Sequence, residues 1–137
     1  MTANTFTMQN WTENVASGPD DGPRVAYAHA TFAYQGLIEG ISSSDSLLYY
    51  PGTGHDGGGV TSPGYERFEA SVDGRKGSFV IRHEYAFTAT EEAHEVTSRF
   101  TVVPGSATGE LAGLTGSGTV WGSSETMNYA FTPEFGA

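Results

Sequence analysis

The punctuation of this chain restricts its fold more than any other feature. Turn-forming residues recur at short intervals, as Gly18-Pro19-Asp20-Asp21-Gly22, Pro51-Gly52, Gly57-Gly58-Gly59, Asp73-Gly74 and Pro104-Gly105, then as Gly116, Gly118 and Gly122-Ser123. Between them run stretches of about 8 to 14 residues in which apolar and polar side chains alternate, the period of a strand with one buried face. About eight strands are read, over residues 4–12, 24–34, 36–48, 60–72, 77–88, 95–103, 110–121 and 124–132, the pattern of a barrel or a sandwich. A helix has room only from Thr88 to Arg99, where Thr88 and Glu91 fit a capping box. With Ala89, Ala93 and Val96 as its only apolar residues, that segment reads better as a turn entering a strand. No repeat, linker or low-complexity tract interrupts the pattern, so residues 1–137 read as one all-β domain.

Composition excludes several functions. Six Lys and Arg stand against 16 Asp and Glu, a net charge of −10, which disfavours nucleic acid and anionic membrane because phosphates would go unneutralised. Small uncharged or cationic ligands are allowed. Cysteine is absent, which rules out disulfides, thiolate zinc sites and thiol nucleophiles. The start, Met1-Thr2-Ala3-Asn4-Thr5-Phe6, lacks a basic and then apolar leader, and no apolar run reaches the roughly 20 residues of a membrane-spanning helix, so a cytoplasmic location is expected.

Residues of one parity share a face of a strand. In the fifth strand Phe79, Ile81, His83, Tyr85 and Phe87 point one way, inward, and in the fourth Val60, Gly64, Glu66, Phe68, Ala70 and Val72 do the same. In the third, Leu37, Glu39, Ile41 and Leu47 align and are expected inside. The first strand offers Phe6, Met8 and Asn10, the sixth Val96, Phe100 and Val102, the last Met127, Tyr129 and Phe131. Strand 24–34 is apolar on both faces, through Val25 and Tyr27 and through Ala28 and Phe32. A loop, a terminus or a second subunit is therefore expected over its outer face, the last making a homo-oligomer.

The inward set is thus apolar with five polar intruders, Asn10, Glu39, Glu66, His83 and Tyr129. Two carboxylates, an imidazole and a phenol in one interior suit an acid–base pocket. The same residues also suit a structural network in which Glu66 or Glu39 accepts bonds from arginine or backbone N–H groups. His55-Asp56-Gly57-Gly58-Gly59 has the look of an esterase oxyanion loop, but the partner Gly-x-Ser-x-Gly elbow is missing and a hairpin loop explains it better. His29, His55, His83 and His94 show no metal-ligand spacing, so no metal is expected. No helix pattern follows Gly113 to Gly118, which favours glycines that bend a strand over a phosphate loop.

Four segments, in order and in register, resemble an uncharacterised bacterial family, domain of unknown function 3224. They are Gly36-Leu37-Ile38-Glu39-Gly40, Gly64-Tyr65-Glu66-Arg67-Phe68, the run from Asp73 to His83, and the run from Val102 to Gly116, in which Ala107 stands where the family usually has Gly. The resemblance implies a closed antiparallel barrel similar to allene oxide cyclase, in a superfamily whose members hold a reactive apolar substrate without a cofactor. Glu39, Glu66, Arg75, His83 and Glu110 match the family's motif positions, with Arg75 and Glu110 in turn contexts that suit bracing of the barrel ends.

The sequence thus predicts a cofactor-independent cyclase or isomerase of a small, largely apolar metabolite. Glu66 and His83 are the acid–base pair, and Glu39 and Tyr129 orient the substrate or stabilise charge. Phe6, Met8, Asn10, Leu37, Phe68, Ile81, Phe100 and Met127 are the expected substrate-binding wall. A non-catalytic binder or carrier using the same cavity, and a barrel filled entirely by side chains, are the alternatives.

Overall fold

In the computed structural model, residues 3–52, 60–89, 94–123 and 127–136 are described. The expected loop His55 to Gly59, and Glu91 and Ala93 of the weighed helix, lie outside them. Eight strands follow in chain order: β1 (Thr5–Ser17), β2 (Arg24–Gln35), β3 (Ile38–Tyr50), β4 (Ser62–Val72), β5 (Arg75–Ala89), β6 (His94–Val102), β7 (Thr115–Ser123) and β8 (Met127–Glu134). Each pairs antiparallel with the next, and β1 returns to β8, closing a barrel. No helix among the described residues is long and apolar enough to cross a membrane.

Local chemistry explains the hairpins. Val72 pairs with Arg75, which leaves Asp73-Gly74 as a two-residue loop. Both take positive φ, 50° and 81°, as the type I′ turn that matches strand twist demands. The alternation read from β4, β5, β6 and β8 places the expected residues inside, with Phe68, Val72, Phe79, Ile81, Phe100, Val102, Tyr129 and Phe131 buried. Val60 precedes β4 and is exposed.

Three expectations are corrected. First, the inward face of β3 is the even one, Ile38, Ser42, Ser44, Ser46, Leu48 and Tyr50, so Glu39, Ile41 and Leu47 are exposed on the outside. Apolar residues occupy both parities here, and a one-residue difference in register moves every side chain to the other face. Second, β1 carries a bulge between Met8 and Asn10 that adds a residue and reverses parity. Asn10 is therefore exposed, while Trp11 and Glu13 turn toward the interior. Third, the segment expected to start the seventh strand is a short 3-10 turn, Gly109–Leu111, and β7 begins at Thr115.

That turn plugs one end of the barrel, with Leu111 and Leu114 buried in the main core. The Thr108 N–H donates to the Ser78 carbonyl at 2.8 Å, and a Cβ at Gly77 would lie 2.0 Å from the Thr108 carbonyl oxygen, so the plug seats only against glycine. Glu110 braces the same end by accepting the Lys76 N–H at 3.2 Å, and the Arg75 guanidinium lies 3.9 Å from the centre of the Phe135 ring.

Above the plug the interior is packed with rings. Phe68 stacks on Phe79 at 4.6 Å, Phe6 on Tyr34 at 4.5 Å, and Tyr34 meets Phe68 edge-on at 4.8 Å. The other half is built differently. Rows of paired residues cross the sheet as Ala28–Ser46–Gly64–His83 and Ala30–Ser44–Glu66–Ile81. Alanine, serine and glycine on three consecutive strands cannot reach the barrel axis, so this half is hollow. Outside, Tyr27 is 43% exposed beside its cross-strand partner Leu47, and its hydroxyl donates to Asp45, which also contacts His29 Nδ1 at 2.8 Å. Among the described residues, no loop or terminus covers it as expected.

Candidate active site

Glu66 sits where the filled half meets the hollow half, on an inward position of β4 between Gly64 and Phe68, and is 1% exposed. Its Oε1 lies 2.6 Å from Nε2 of His83, which is equally buried on β5. Its Oε2 accepts the hydroxyls of Tyr34 at 2.7 Å and Ser42 at 2.5 Å. The far nitrogen of His83, Nδ1, lies 2.7 Å from Ser98 Oγ, so both ends of the imidazole are fixed. Such a carboxylate–imidazole–hydroxyl chain sets donors and acceptors in series, an arrangement suited to acid–base chemistry. Burial without partners would make these groups costly, and here each has them.

Tyr85, two residues along β5, stacks on the His83 ring with centroids 4.4 Å apart, and its hydroxyl lies 3.2 Å from Ser44 Oγ. Burial, and then the charge of Glu66, push the Tyr85 phenol well above its ordinary value of 10.0. Burial first and the Glu66 carboxylate second do the same for Tyr34. Both phenols therefore stay protonated across the physiological range and act as neutral donors. Gly64 makes room for this cluster, since a Cβ there would fall 2.2 Å from Ser46 Oγ and 2.9 Å from the Tyr85 ring.

Glu66, His83 and Tyr85 face a cavity of about 330 Å³ that occupies the hollow half. Its remaining wall is mostly apolar, with Leu48, Phe87 and Val96 among its members. Of the expected substrate-binding residues, Phe6, Met8 and Met127 line it. Leu37, Phe68, Ile81 and Phe100 belong to the packed half instead, and Asn10 is outside. Glu39 is on the outer surface, away from the Glu66–His83 pair. Tyr129 is buried as expected but ties strands together: its oxygen accepts the Ile38 N–H at 2.8 Å and its proton points to the Gln35 carbonyl at 2.9 Å.

Tyr34, Ser42, Ser98, Trp11 and Glu13 have places in or beside the site that strand parity alone does not disclose. The signal for the serines was the run Ser42-Ser43-Ser44-Asp45-Ser46, whose even members form a small, polar inner row next to Glu66. For Trp11 and Glu13 the bulge erased the signal.

A closed antiparallel barrel with a buried carboxylate–imidazole pair at the floor of an apolar cavity is the class that fold and site define. The chain belongs to the family described as "Protein of unknown function (DUF3224)", whose profile matches residues 2–132. A crystal structure of a protein of unknown function from that family, from Shewanella oneidensis MR-1, is similar in fold, with a TM-score of 0.75 and 22% identity over 98% of this chain and 95% of that one. No curated protein matches.

Proposed function

We propose that the barrel is a cofactor-independent cyclase or isomerase of a small, largely apolar metabolite. The observation that carries this reading is the 2.6 Å contact of Glu66 with His83, buried yet facing a cavity of about 330 Å³ that is otherwise mostly apolar. Such a cavity holds a substrate in one folded shape, which lowers the entropy cost of bringing its own atoms together. The Glu66–His83 pair takes a proton from one atom of the substrate and returns it at another, so the pair ends as it began. Tyr85, kept protonated, donates to an oxygen on which negative charge grows.

The test begins with the metabolite that accumulates in a deletion strain, supplied to the purified protein. Glu66→Gln keeps an acceptor for Tyr34 and Ser42 but cannot carry the proton, and it is expected to lower turnover by about 10²- to 10⁴-fold, as is His83→Ala. Full turnover in both variants overturns the assignment.

A second reading, a non-catalytic carrier, draws on the fact that Glu66 is already held by Tyr34, Ser42 and His83 within the wall itself. It predicts that ligand leaves chemically unchanged, which mass spectrometry of bound and released ligand decides.

A further inference from the structure

The cavity has a second polar pole. Beyond the bulge in β1, Trp11 and Glu13 turn their side chains into the hollow half. Glu13 is half-buried there and its Oε2 accepts the hydroxyl of Tyr50 at 3.0 Å. Tyr50 packs with Phe87, which in turn lies 5.9 Å from Tyr85, so rings stand on the wall between the two poles. Glu13 pairs across the sheet with Ala28, in the row that continues through Ser46 and Gly64 to His83. β1 and β5 are four strands apart whichever way the ring is followed. Glu13 therefore faces the Glu66–His83 pair from the opposite wall.

The charge of the wall is one-sided. Among the described residues, Glu13, Glu66 and His83 are the ionisable acids and bases on it apart from the phenols, and neither lysine nor arginine lines it. Arg24, buried on the inward parity of β2 but absent from the cavity lining, has its guanidinium 4.6 Å from the centre of the Tyr50 ring and donates to the Gly52 carbonyl at 2.5 Å. An anionic ligand would meet two carboxylates and lose its hydration without a partner. An ammonium group would donate a charge-assisted hydrogen bond to Glu13 and meet the negative face of Trp11.

From this juxtaposition we infer that the ligand is an amine, with a cationic ammonium seated at Glu13 and Trp11 and an apolar body reaching across to the Glu66–His83 pair. The inference rests on the cavity being the ligand site, and it adds the charge and the orientation of what enters. Trp11 is 41% exposed, which sets the ammonium pole at the mouth and the acid–base pair at the floor.

The experiment uses three probes with one body and three charges: 4-phenylbutylamine, 4-phenylbutanol and 4-phenylbutyrate, titrated calorimetrically into the whole chain at neutral pH. The amine is expected to bind about tenfold or more tightly than the alcohol, with the carboxylate weakest. Glu13→Gln, which still accepts from Tyr50, is expected to bring the amine down to the alcohol and leave the alcohol unchanged. Trp11→Leu supplies a second variant that keeps apolar area but removes the ring, and it is expected to weaken the amine more than the alcohol. Equal binding of the three probes, or an amine preference that survives Glu13→Gln, overturns the inference while leaving the cavity a ligand site. Failure of all three probes to bind a barrel whose circular dichroism is native overturns the inference and counts against the cavity reading as well.

Discussion

The two ends of this barrel are made from the same eight strands and do opposite things. Toward the plug, inward positions carry Phe6, Tyr34, Phe68, Phe79, Phe100 and Phe131, and Leu111 and Leu114 close the end. Toward the mouth, the inward positions of β2 and β3 include the small residues Ala28, Ala30, Ser44 and Ser46, with Leu48 and Tyr50 beyond them, and the space the small residues leave is the cavity. Side-chain volume, varied along strands of constant geometry, thus divides a packed core from an open cavity. Full burial of a large side chain contributes about 1.5–3 kcal/mol, and aromatic pairs add about 0.5–1.5 kcal/mol each, so the packed half carries most of the fold. The hollow half gives up that packing and leaves Glu66 and His83 on the wall of the cavity.

The comparison can be broken from either side. Phe68→Ala, which empties the packed half at its centre, is expected to cost about 3–5 kcal/mol in urea unfolding, while Phe87→Ala on the cavity wall costs about 1–2 kcal/mol. Equal losses would show that the cavity wall carries as much stability as the core. Added volume tests the converse. Val102→Phe should cost about 1–3 kcal/mol by overpacking, whereas Ala30→Leu should cost less than about 1 kcal/mol because its new atoms enter empty space. Ala30→Leu should at the same time weaken binding of cavity ligands, measured by calorimetry.

A smaller effect separates the halves by pH. Burial raises the folded-state values of Tyr34 and Tyr85 above their ordinary 10.0, so the unfolded chain releases these protons first. The contribution of each is complete below about pH 10 and falls as pH rises further, by about 1.4 kcal/mol per pH unit per tyrosine. Tyr85→Phe should make that alkaline slope shallower by one tyrosine's share, read from urea midpoints between about pH 10 and 11. The smallest expected effect is that of Glu39→Gln, within about 0.5 kcal/mol in stability and without change in turnover, since Glu39 is outside both halves.

The number of strands, the Asp73-Gly74 hairpin and the inward faces of β4, β5, β6 and β8 follow from the sequence alone, because alternation is a local property and large apolar residues there occupy mostly one parity. The pairing of Glu66 with His83 was legible for the same reason: both share a parity with phenylalanines on adjacent strands. Tertiary structure decided the rest. β3 has apolar residues on both parities, and its inner face was chosen by its neighbours, which set Ser44 beside Glu66 and left Glu39 outside. The bulge in β1 reversed a parity that alternation assumes constant, hiding Trp11 and Glu13. Whether a barrel is filled or hollow depends on volumes summed around a ring of eight strands, residues distant in the chain, and no local period carries that sum.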